Sequence, residues 1–112
     1  MKERILMGYR SEVVVKFSEK AAEVVKRFYE MDKQIKELID GADTKCDDFS
    51  SIYWERIKWY DSYEDITAFM DMLDQIGEEN YGMIRMGEDY DDVGHYGDPP
   101  FFDMYVNRSI EW

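Results

Sequence analysis

The residues with the most chemical potential are crowded into one short stretch. Between Gly87 and Pro100 stand Glu88, Asp89, Asp91, Asp92 and Asp98, five carboxylates interleaved with Tyr90, His95 and Tyr96. A hard cation such as Ca²⁺ takes about six to eight oxygen ligands, and such a loop can offer several. Counted as a helix–loop–helix calcium loop, Asp89 and Asp91 fall at positions 1 and 3 and Gly94 at position 6. Val93 then occupies position 5, and Pro100 stands at position 12, where a bidentate glutamate is needed. The pattern favours a solvated or partner-binding loop, and no metal or cofactor is expected.

Other routes to catalysis are equally thin. His95 is the single histidine and Cys46 the single cysteine, so zinc would lack nitrogen and sulfur donors. No serine or cysteine lies in a strand–turn–helix nucleophile pattern, and no phosphate-cradling glycine loop or dinucleotide fingerprint occurs. No catalytic residue is assigned, and the chain is expected not to be an enzyme.

Alternating strand and helix patterns must position these side chains. In Tyr9 to Phe17, residues 13, 15 and 17 share one face, while Val14 makes the second face apolar too. β-Branched side chains suit a pleated surface, so a central strand is predicted. Ser18 is a candidate N-cap for a helix of about 22 residues that ends at Asp40-Gly41, with glycine in the left-handed position. Phe49 to Tyr60 reads as a second strand. Ile66, Phe69, Met70, Leu73 and Ile76 mark the clearest amphipathic helix, entered through a capping box at Ser62 to Asp65 and stopped by Gly77. Tyr81 to Met86 and Phe101 to Ile110 read as strands, with the 87–100 loop between them. The sum is a single α+β domain over 1–112 with residues 1–8 frayed. It has two layers: about four mostly antiparallel strands with two helices on one face, in the order β-α-β-α-β-β.

Charge is the strongest global signal. Lysine and arginine number 14 against 26 aspartates and glutamates, a net of −12. Residues 1–39 carry nine basic and seven acidic side chains; residues 40–112 carry five basic and nineteen acidic ones. Phosphate backbones and anionic bilayers need clustered cations, so neither direct nucleic-acid binding nor membrane binding is expected. A lone cysteine and the lack of a long apolar run fit a cytoplasmic setting. A field of this sign attracts basic proteins.

Aromatic residues exceed the needs of a small core: nine tyrosines, six phenylalanines and three tryptophans. Trp54, Tyr60, Tyr90 and Tyr96 could form an open aromatic surface; packing beneath the helices and loop is the competing arrangement.

The stretch Met7-Gly8-Tyr9-Arg10-Ser11-Glu12-Val13 resembles the start of small uncharacterised α/β proteins encoded by bacteriophages and prophages. The resemblance covers seven residues and implies a phage accessory protein, a class that includes inhibitors occupying the nucleic-acid site of a host enzyme. The expectation is a non-enzymatic interaction protein that binds a basic nucleic-acid-handling partner by electrostatic mimicry. Glu88, Asp89, Asp91, Asp92 and Asp98, with Tyr90, Tyr96, Asp71 and Asp74, would carry the contact. The alternatives are a cation- or small-ligand-binding domain using the 87–100 loop, and a homo-oligomeric structural subunit.

Overall fold

Three consecutive valines set the centre of the molecule. The computed structural model describes residues 8–112 apart from Tyr90 and Arg108. The expected fraying of residues 1–8 lies outside the described residues except at Gly8. Strand β1 (Ser11–Phe17) turns Val13, Val15 and Phe17 into one core and Val14 into a second. A strand apolar on both faces belongs inside a sheet. β1 is indeed the middle of five strands, in the order β2-β3-β1-β4-β5.

Its neighbours β3 (Ser51–Ile57) and β4 (Tyr81–Met86) both pair with it antiparallel, placing Val14 between Tyr53 and Ile84. β2 (Thr44–Lys45) and β5 (Val93–Gly97) form the two edges. β4 has the bounds predicted for it. The strand expected over Phe49 to Tyr60 is shorter, because Phe49 takes a positive φ of 63° that ends extended pairing.

The single long helix expected after Ser18 is two helices, α1 (Glu19–Met31) and α2 (Lys33–Asp40). Asp32 divides them. Its backbone leaves the helical region, and its carboxylate accepts from the N–H groups of Gln34 at 2.9 Å and Ile35 at 3.2 Å. A short acidic side chain that satisfies the first amides of a new helix stabilises the break. The bend keeps Ile35, Leu38 and Ile39 buried where a straight rod would overhang the sheet. Gly41 closes α2 with φ −84°, so the expected left-handed cap does not form.

α3 (Glu64–Ile76) buries Ile66, Phe69, Met72 and Leu73, and Gly77 ends it with φ +98°. Its N-cap is Tyr63 without a side-chain hydrogen bond, so the capping box expected from Ser62 does not form. Helices α1, α2 and α3 pack on the Val13–Val15–Phe17 face, as expected for helices on one side of a sheet.

The other face departs most from expectation. No long strand spans Phe101 to Ile110. Pro99 and Pro100 begin a short 3₁₀ turn (Pro99–Phe102), and Asp103 takes a left-handed φ of 59°. β6 (Tyr105–Val106) and β7 (Ile110–Glu111) then form a separate two-stranded hairpin. This segment lays Met104 and Ile110 on Val14 and Ile84, closing a second small core. The Trp112 ring stacks on Tyr53 at 5.3 Å. Burial first, then a hydrogen bond to Glu12, pushes the Tyr53 phenol up to about 12.

Over the elements described above the architecture is α+β, with three helices, a five-stranded antiparallel sheet and a two-stranded one. The expected count of four strands and two helices fell short through the break at Asp32, the short β2, the hairpin and the unforeseen β5. The segment 93–97 pairs its whole length with β4 inside the expected 87–100 loop. Its glycines hid the alternation, yet they are what the site requires. Gly97 has φ +70°, and a Cβ there would strike the Tyr81 carbonyl oxygen.

Candidate interaction surface

The acidic stretch after β4 is partly consumed by the fold. Arg85 on β4 reaches Asp92 with Nη2–Oδ1 at 2.6 Å and donates from Nη1 to the Ser11 hydroxyl at 3.0 Å. The Tyr9 hydroxyl also donates to Asp92, and the Asp89 N–H donates to the Tyr9 oxygen at 3.3 Å. Hydrogen bonds from Arg85 and then Tyr9 hold the Asp92 carboxyl below its ordinary range. Glu88 accepts from the Arg10 N–H at 2.7 Å. These contacts tie the β4–β5 turn to the start of β1. Asp92 is thus neutralised in place, contrary to its expected role as an outward partner-binding carboxylate.

Asp89, Asp91 and Asp98 are exposed, as are Asp71 and Asp74 on the outer side of α3. Tyr90 lies outside the described residues. Tyr96 is half-buried against the main core. The expected open aromatic surface does not include Trp54. It is 1% exposed, its indole N–H donates to the Leu38 carbonyl at 3.0 Å, and its ring packs with Trp59 and Phe69. Among the described residues the exposed rings are instead Tyr63, Phe101, Tyr105 and Trp112.

Two of the expected contact residues are brought together from distant elements. Asp74 and Tyr96 share a groove of about 530 Å³ between the end of α3 and the edge strand β5. Leu73, Gly77, Glu78, Tyr81, His95 and Gly97 complete its lining. Gly77 ends the helix abruptly, so Glu78 is delivered beside Asp74 just before β4 begins with Tyr81. Burial, and then the negative charges of Asp74 and Glu78, push the Tyr81 phenol above its ordinary value. The two carboxylates therefore act on the same ring.

Among the described residues no cation pairs with Asp71, Asp74 or Glu78; the ion pairs there are Lys36–Asp40 and Arg85–Asp92. Asp91 precedes β5 and the groove meets its far end, so the turn carboxylates and the groove stand about 16 Å apart along the strand.

Glu78, Tyr81 and His95 were not foreseen as parts of a site. The signal available for Glu78 was its position directly after a helix-stopping glycine; for His95 none existed while β5 was read as loop. Among the described residues no three His, Cys, Asp or Glu side chains converge as metal ligands do. No helix there is long and apolar enough to cross a membrane. The Cys46 thiol is exposed, with Sγ 3.0 Å from the Ser51 hydroxyl. No protein-family model, curated protein or solved structure matches this chain.

Proposed function

We propose that this chain is a non-enzymatic interaction protein that presents unpaired carboxylates to a basic protein partner. The observation that carries the reading is the groove at the end of α3. There Asp74 and Glu78 stand beside Tyr81 and Tyr96 with no described cation to answer them. A net charge of −12 steers a cationic surface toward such a place, and the partly exposed Tyr96 ring offers it apolar contact. With carboxylates standing where phosphates would, the partner is a nucleic-acid-handling protein. The opening resemblance to phage and prophage proteins makes a host protein the target, met in a cytoplasm that keeps Cys46 reduced.

The test uses purified bacterial DNA- and RNA-binding proteins immobilised as a panel. The chain should bind at least one, with affinity falling at least about tenfold between ~50 and ~200 mM salt. Duplex DNA or RNA should compete for the same partner. Binding indifferent to salt, or unaffected by nucleic acid, overturns the reading.

A further inference from the structure

The two edges of the five-stranded sheet are unlike. At one, β2 has two residues and carries Lys45. Brevity and an edge lysine are devices that discourage further strand pairing. At the other, β5 pairs over five residues, Val93-Gly94-His95-Tyr96-Gly97, without a lysine, a proline or a carboxylate.

The hydrogen-bond phase of β5 follows from its two ends. The Gly87 N–H donates to the Asp92 carbonyl and the Asp98 N–H to the Tyr81 carbonyl, both at 2.8 Å. Backbone groups of an antiparallel strand alternate in direction, so residues 92, 94, 96 and 98 address β4. Val93, His95 and Gly97 turn their N–H and C=O groups off the sheet. Among the described residues nothing hydrogen-bonds to them. The acidic groove lies along this same edge, since His95 and Gly97 line it together with Asp74 and Glu78.

We infer that β5 is a strand-addition site, where an extended segment of a basic protein pairs with Val93, His95 and Gly97 as the sheet's sixth strand. Side chains directly across a ladder share a face. Tyr96 sits opposite Met83 on the helix-packed face. Alternate side chains of the added strand therefore project toward α3, where Asp74 and Glu78 select lysine or arginine. Backbone pairing supplies affinity and alternate side chains supply selectivity, as in other strand-addition complexes. A second copy of this chain could also pair edge to edge, but it would bring another −12 charge against the same carboxylates.

The inference rests on the proposed function for the partner's charge and adds the geometry. The probe is a capped peptide of alternating lysine and valine. Its controls are a glutamate–valine peptide and two copies N-methylated at every second residue, one in each phase. The lysine peptide should bind and the glutamate peptide should not. One methylation phase should weaken binding at least about tenfold and the other should leave it intact.

The Val93, His95 and Gly97 amides should gain hydrogen-exchange protection. His95→Pro removes an N–H that the sheet does not use, so binding should fall while the fold persists. If that variant does not fold, the methylated peptides decide the matter on the native chain. Equal binding by both phases, unprotected β5 amides or no peptide binding overturns the inference. So do glutamate-peptide binding as tight as lysine, and copies that pair through β5 in sedimentation until dispersed by His95→Pro. A basic protein that still binds in a salt-sensitive way with His95→Pro leaves the proposed function standing without the strand geometry. Loss of all basic-partner binding to the native chain removes both.

Discussion

Asp92 is held by Arg85 and by Tyr9, which lies 83 residues away in sequence. Its carboxyl titrates below the ordinary value of 3.8, chiefly because of the Arg85 guanidinium. A group whose folded-state pKa is depressed contributes stability that is complete above the unfolded value and disappears as pH falls through the folded one. Asp92→Asn should therefore lower stability by about 1 kcal/mol at neutral pH, a figure that allows for its partial exposure. The gap between native and variant urea midpoints should close as the pH is taken below about 4. A gap that stays constant down to strongly acid solution would show that the Arg85–Asp92 pair does not stabilise the fold. Asp71, Asp74 and Glu78 have no such partner among the described residues, which separates them from the carboxylates that the fold uses.

The helix break at Asp32 governs how α1 and α2 share one sheet face. One carboxylate oxygen serves two amides of α2, a helix of only eight residues that has little stability of its own. Asp32→Ala should cost about 1 kcal/mol and reduce far-ultraviolet helicity, while Asp32→Ser should recover most of the loss. Equal stability of all three proteins would show that packing of Ile35, Leu38 and Ile39 holds the bend without the cap. The break was not legible in sequence. Apolar spacing continues on both sides of position 32, and neither glycine nor proline marks it. β5 escaped for the opposite reason, since its glycines and histidine resemble a turn until β4 supplies the pairing.

A charge of −12 on 112 residues makes the molecule repel itself. Screening should raise the thermal midpoint as sodium chloride is increased to ~0.5 M, where the Debye length is only a few ångströms. The same salt should weaken partner binding, so folding and recognition respond with opposite signs. A midpoint that falls with added salt would mean that attractive pairs outweigh the repulsion.

Counting and periodicity, which need no knowledge of neighbours, were enough for the acidic imbalance, the central place of β1, the amphipathic α3 and the limits of β4. Each depends on residues within a turn or two of one another, or on composition alone. The Tyr9–Asp92 hydrogen bond, the Trp112–Tyr53 stack and the meeting of Asp74 with Tyr96 depend on which faces abut after collapse. Those contacts join positions tens of residues apart, and many alternative pairings would satisfy the same local patterns. Asp71 to Asp98 could be recognised as acidic from the chain alone; that Asp92 is paired while Asp74 and Glu78 line an open groove came from the placement of one arginine and one sheet edge.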